Sequence, residues 1–340
     1  MRDPTDPGTG TGADSGKEAG IEAAIEAGIG AGRRSPEAVA RLARGVGDPD
    51  LDRPDLSDPD RVDADAVDRW RVAVHRAWGE GPEGDEPAHE PARIAGVDVL
   101  FAGPADAPVT VVYAHGGGYV LGSPGVAAPI TARLARRVRV VSVDYRLAPR
   151  HRFPAALDDV TAVFRSVLAD ADTPVALAGD SDGGALALGT ALRTPGGPSA
   201  LVLFCPHLDH GPVPDDRNGP VSADLDGAEL AALYRAATDP TDGLLSPGRA
   251  PAGLLATLPP TLVQTGTADA LHRQAVRFAR RARVAGAPVT LDVWDGLWHA
   301  WQYHRNLPEA DRAIAEAVGF LVGRPALPSG TPPRPAPSPT

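Results

Sequence analysis

Ser181 lies in Gly179-Asp180-Ser181-Asp182-Gly183-Gly184, directly after the apolar run Pro174-Val175-Ala176-Leu177-Ala178. A strand that enters Gly-x-Ser-x-Gly and leaves as a helix makes a sharp turn, and its small flanking residues tolerate a strained nucleophile backbone. The hydroxyl then projects from the end of a sheet. The next N–H, that of Asp182, points at the charge that develops when the hydroxyl attacks a carbonyl. Serine needs a base within reach to act as a nucleophile. His299 is the candidate base, because imidazole titrates near neutrality, and Asp269 is the candidate acid that orients it. Asp292 and Asp295 compete with Asp269, but Asp292 falls within a strand-like run and Asp295 lies close to His299 in sequence. A second source of bare N–H groups is His115-Gly116-Gly117-Gly118. Gly117, Gly118 and the N–H of Asp182 together make the expected oxyanion hole.

These groups need a frame, and the hydrophobic pattern supplies one. Strand-like runs at 93–101, 109–113, 138–143, 174–178, 200–204, 262–266 and 289–294 alternate with helical patterns near 125–136, 155–169, 183–193, 270–285 and 308–323. Such alternation predicts an α/β fold with a mostly parallel central sheet and helices on both faces. Ser181, Asp269 and His299 each fall just after a strand, on the rim where such sheets carry their sites.

Six ordered motifs over about 92–322 resemble one family: His115-Gly-Gly-Gly-Tyr119, Asp144-Tyr145-Arg146-Leu147-Ala148-Pro149, Phe153-Pro154-Ala155-Ala156-Leu157-Asp158-Asp159, Gly179-Asp-Ser-Asp-Gly-Gly184, Asp269-Ala-Leu271 and Gly296-Leu-Trp-His299. The chain resembles the bacterial hormone-sensitive-lipase-like esterases of the α/β-hydrolase fold, with closest likeness to small ester and lactone hydrolases. The order Ser…Asp…His is that of α/β-hydrolases. The resemblance implies a helical cap, built from an N-terminal arm at 36–91 and an insertion at about 210–255. It implies a serine carboxylic-ester hydrolase acting on short-to-medium acyl esters or lactones through an acyl-enzyme. A biosynthetic acyltransferase or cyclase with the same three residues is the alternative, and a ligand-binding non-enzyme of the same fold is a second. Tyr119, Trp298 and Trp301 are the candidate substrate-binding residues; core packing is the competing reading of the two tryptophans.

The sequence departs from the family pattern at informative places. Asp182 stands where the family usually has Ala, and Cys205-Pro206-His207-Leu208-Asp209 where Ser-Pro-Trp-x-Asp is usual. His272-Arg273-Gln274 replaces an acidic pair. A carboxylate about 4 Å from an oxyanion, at an effective dielectric near 20, is repelled by about 4 kcal/mol. The Asp182 side chain is therefore expected to point away, toward the helix N-terminus or a cation. The set Cys205, His207, Asp209 and His210 lacks a zinc spacing, so no metal and no other cofactor are expected.

Composition bounds the rest. The 340 residues carry a net charge of −11, which argues against nucleic acid and anionic membranes as partners. A small-molecule ester is the expected partner, with a homodimer as the assembly to consider. Cys205 is the single cysteine, so no intramolecular disulfide forms. No apolar leader or 18-residue apolar span is evident, and a cytoplasmic protein is the expectation. Residues 1–35 and 324–340, rich in Gly or Pro and without core periodicity, are expected to be disordered, flanking a catalytic domain at 92–323.

Overall fold

The computed structural model describes residues 53–79, 81–211 and 227–323. Residues 36–52 of the expected N-terminal arm, 212–226 of the expected insertion and both terminal segments lie outside these residues. Eight strands form one sheet: β1 (Glu90–Ile94), β2 (Val97–Ala102), β3 (Thr110–Ala114), β4 (Arg139–Val143), β5 (Val175–Asp180), β6 (Leu201–Phe204), β7 (Thr261–Gly266) and β8 (Val289–Trp294). Their spatial order is β1-β2-β4-β3-β5-β6-β7-β8. From β4 to β8 all neighbours are parallel; β1–β2 and β2–β4 are antiparallel.

Adjacent residues of the central strands enter different cores, as the two-residue side-chain period requires. Val112, Leu177 and Leu203 pack in one cluster with α1 (Ala64–Trp78), α3 (Ala155–Asp170), α4 (Ser181–Arg193), α6 (Ala252–Leu255) and α7 (His272–Val284). Val111, Ala176 and Val202 pack in the other with α2 (Ala128–Leu134) and α8 (Pro308–Val322). Every residue of β3, β5, β6 and β7 is buried, so these strands read as continuous apolar runs. The edge strand β8 alternates between buried and more exposed positions.

One expected strand is two. The run 93–101 turns at Ala95 and Gly96, with φ of 51° and 82°, and folds back as the β1–β2 hairpin. Two consecutive left-handed residues are what a tight hairpin needs. Ala-Gly advertises this less strongly than Asn-Gly, so the continuous apolar pattern hid the turn.

Two outlying elements are fastened onto the site end. In α1, capped by Asp63 through the N–H groups of Asp65 and Ala66, Arg71 donates from Nε to the Val120 carbonyl at 2.6 Å and from a terminal nitrogen to the Ala148 carbonyl at 2.9 Å. In α5 (Gly227–Arg235), Leu230 lies against Gly118, where an added Cβ would sit 2.7 Å from the leucine side chain. Tyr234 of α5 stacks on Tyr119 at 3.8 Å between ring centroids.

Candidate active site

β5 delivers Ser181 to the sheet's end, and α4 begins at that residue. Its φ of 50° is left-handed, a conformation that costs a non-glycine residue on the order of 1–3 kcal/mol. The neighbouring glycines make the turn sterically feasible. A Cβ on Gly179 would lie 2.3 Å from the Gly183 carbonyl oxygen, and one on Gly183 would lie 2.1 Å from that of Ala114. Gly183→Ala is therefore expected to push α4 off β3 and destabilise the fold by about 3 kcal/mol. Chemical denaturation would measure this, and a change below about 0.5 kcal/mol would contradict it.

His299 follows β8 and Asp269 follows β7. Ser181 Oγ is 3.0 Å from His299 Nε2, and His299 Nδ1 is 3.1 Å from Asp269 Oδ1. With the neutral imidazole protonated at Nδ1, Nε2 accepts the serine hydroxyl proton. Asp269 Oδ1 also accepts the Leu271 N–H at 2.8 Å, which holds the carboxylate in place. The two competing acids are engaged elsewhere: Asp292 accepts from Gln264 and the Trp294 indole, and Asp295 from the Thr267 hydroxyl.

Burial lowers the pKa of His299, but the charge and hydrogen bond of Asp269, with Asp182 and Asp180 farther out, outweigh it and raise the net value above the ordinary 6.5. A base is lost when it is protonated, so activity falls on the acid side. The acid limb of kcat/KM is expected to have its midpoint above pH 6.5. A midpoint below that value, in a pH profile of p-nitrophenyl acetate hydrolysis, would contradict the arrangement.

The glycine loop is braced from beneath. His115 stacks on Tyr145 at 4.2 Å and bonds the Gly116 carbonyl through Nδ1 at 2.8 Å. Burial pushes the His115 pKa down to about 4, so it stays neutral at physiological pH. Asp180 accepts from the hydroxyls of Tyr113 and Tyr303 at 2.7 and 3.0 Å and from the Gly116 N–H at 3.1 Å. Desolvation still raises its pKa, to about 6. The structure thus ties the strand end before Ser181 to the loop that carries Gly117 and Gly118.

Asp182 does not point away from the site. Its Oδ2 accepts the Gly118 N–H at 2.8 Å and lies 3.4 Å from Ser181 Oγ, while Oδ1 meets His207 Nδ1 at 2.8 Å. Burial raises the pKa of this carboxyl; the charge and hydrogen bond of His207, then His210 and the Gly118 N–H, outweigh that and lower it overall. A hydrogen-bond partner for Oδ1 is there, the His207 imidazole, but the other oxygen occupies the Gly118 N–H, one of the three expected oxyanion donors. Glycine at 118 has φ of 65°, and its bare N–H can be reached as readily by this carboxylate as by a substrate.

A family model for the α/β-hydrolase fold matches residues 111–303. The chain belongs to the α/β-hydrolase family. A crystal structure of a hormone-sensitive lipase from a metagenome library superposes on 76% of this α/β-hydrolase and 92% of its own chain, with a TM-score of 0.69 and 29% identity. An esterase from the bacterial hormone-sensitive lipase family covers 77% and 92%, with a TM-score of 0.67 and 32% identity. An acetyl-hydrolase of Streptomyces hygroscopicus is 39% identical over 227 residues, 62% of this chain and 75% of that protein. An ethyl acetate hydrolase of Pseudomonas putida is 32% identical over 236 residues, 64% and 74% of the two chains. The α/β-hydrolase is thus of the hormone-sensitive-lipase type, a carboxylesterase-like hydrolase that cleaves carboxylic esters.

The candidate substrate-binding residues of this α/β-hydrolase separate into two groups. Tyr119 borders the site: its hydroxyl is 3.1 Å from His210 Nε2 and its ring stacks on Tyr234. Trp298 and Trp301 instead join Cys205, Leu297, Leu307, Ala310 and Ala313 in a separate buried cluster, and Trp301 is fully buried. For them, the packing reading describes the structure. The His272 ring, in the other departure after Asp269, lies 3.4 Å from the Thr265 hydroxyl through Nδ1. Tyr303 was missed by sequence reasoning. A lone tyrosine after the histidine motif carries no local signal; its role comes from reaching Asp180 across 123 residues. Among the described residues, no helix is long and apolar enough to cross a membrane.

Proposed function

We propose that this hydrolase cleaves short-acyl esters, with lactones as a second substrate class, through an acyl-enzyme on Ser181. The observation that carries the reading is the continuous line from Ser181 Oγ to His299 Nε2 and from His299 Nδ1 to Asp269. His299 takes the serine proton as Oγ attacks the carbonyl carbon. The N–H groups of Gly117 and Asp182 face the developing oxyanion, each donor contributing about 3 kcal/mol, and the Gly118 N–H joins them once Asp182 Oδ2 yields it. His299 then protonates the leaving alcohol, and water, activated by the same imidazole, releases the acid.

The preference for short acyl groups rests on two supports. The relatives include an acetyl-hydrolase and an ethyl acetate hydrolase. In addition, Leu230 and the stacked Tyr119–Tyr234 pair crowd the glycine loop as a cap would.

A p-nitrophenyl ester series with lactones alongside tests the reading. The kcat/KM is expected to peak at acetyl or butyryl, and rapid-quench peptide mapping should find the acyl group on Ser181. Acylation of another residue, or no acyl-enzyme at all, would overturn it. An ester of an added alcohol as the main product would assign acyl transfer instead.

A further inference from the structure

Three side chains outside the Ser181–His299–Asp269 line converge on the oxyanion loop. Asp182, His207 and His210 each present one ligand atom, and these atoms lie within 4.8 Å of one another. They come from the start of α4 and from the loop after β6, and the backbone sets them in place. The His207 N–H donates to the Ser181 carbonyl at 2.9 Å, and the His210 N–H donates to the Ser246 hydroxyl at 2.8 Å. The two rings are 4.1 Å apart. Asp209, the acid nearest in sequence, faces away and pairs with Arg249 at 2.6 Å.

A hydrogen-bonded Asp182–His207 pair explains only part of this arrangement. It leaves His210 Nδ1 buried with no hydrogen-bond partner. It also leaves a carboxylate on the Gly118 N–H, which an oxyanion needs. Buried polar atoms without partners are rare and ask for a reason.

We propose that Asp182, His207 and His210 form a binding site for a divalent transition-metal ion, Zn²⁺ by ligand chemistry, at the edge of the oxyanion hole. Two imidazoles and one carboxylate make a three-residue set that leaves a fourth position open. Tetrahedral bonds of about 2.0–2.2 Å place ligand atoms about 3.4 Å apart. The Asp182–His207 contact therefore opens slightly from its 2.8 Å hydrogen bond, and the shared proton leaves to solvent as the ion enters. A cation on this carboxylate draws its negative charge off the Gly118 N–H. It also sets a positive field beside Ser181 Oγ, itself 3.4 Å from Asp182 Oδ2. The effect on turnover rests on the ester-hydrolysis reading above, but the binding does not.

Chelator-treated full-length protein is the starting material. Stoichiometric Co²⁺ should give visible d–d absorption bands of a low-coordinate site. A hundredfold excess of Zn²⁺ over its Kd should raise Tm by about 5 °C. His207→Ala and His210→Ala should each weaken Zn²⁺ binding at least about a hundredfold, whereas Ser181→Ala and His299→Ala should retain it. Zn²⁺ loading should raise kcat/KM for p-nitrophenyl acetate at least about tenfold in the wild type and not in Asp182→Ala. Absence of a Tm shift would overturn the proposal. So would binding that persists in His207→Ala but is lost in His299→Ala, because that places the ion on the neighbouring Cys205, Asp269 and His299 cluster. Loss of turnover on loading would overturn it as well. A protein that binds Zn²⁺ as described but cleaves no ester in either state would count against the ester reading alone.

Discussion

Ser181→Ala is expected to lower ester turnover at least about 10⁴-fold and to abolish fluorophosphonate labelling. The hydroxyl is the only group at the elbow with a base 3.0 Å away, so no neighbouring side chain can substitute for it. The fold should survive. Alanine keeps a Cβ at the same strained φ of 50°, and the substitution removes one hydroxyl with its 3.0 Å hydrogen bond to His299 and its 3.4 Å contact with Asp182. The stability change should stay within about 1 kcal/mol. Labelling that persists on another residue of the variant would refute the assignment.

Asp269→Asn should be the next most damaging change, and its size depends on which way the carboxamide settles. With the NH₂ toward His299, the imidazole proton moves to Nε2 and the base is lost, at a cost of about 10⁴-fold in kcat. With the oxygen held by the Leu271 N–H, 2.8 Å away in the native protein, the useful tautomer survives. The negative charge that stabilises the imidazolium is then gone, and the loss is about 10²-fold. In both cases the acid limb of the pH profile should move down, because the charge of Asp269 and its hydrogen bond are what raise the His299 pKa against burial. Asp292→Asn and Asp295→Asn should change kcat less than about threefold, since their carboxylates are engaged by Gln264, Trp294 and Thr267. A crippling effect of either, with Asp269→Asn active, would move the acid to another strand.

Much of this protein is legible in short stretches of sequence. The two-residue period of the strands, the β-branched runs and the punctuation by glycine and proline are local properties. They determined the parallel α/β sheet and the rim positions of Ser181, Asp269 and His299. Gly179 and Gly183 are equally local in meaning, because a sharp strand-to-helix turn leaves no room for a Cβ at either position. The hairpin at Ala95 and Gly96 escaped detection because its turn chemistry is weak and the flanking residues keep one apolar pattern.

The tertiary structure alone decided where side chains with several partners available would go. The sequence announced Asp182 as unusual, yet its orientation depends on Gly118, 64 residues away, and His207, 25 residues away. Repulsion from an oxyanion, taken alone, would turn the carboxylate outward. The Gly118 N–H and His207 make the inward orientation favourable. His207 and His210 likewise carry no metal spacing with Asp209, the acid beside them in sequence. They converge with Asp182 because the β5–α4 turn and the loop after β6 end side by side on adjacent parallel strands. Periodicity and turn sterics act over a few residues and can be read along the chain. Hydrogen-bond and charge partners are chosen by proximity in space, and only the folded sheet supplies that proximity.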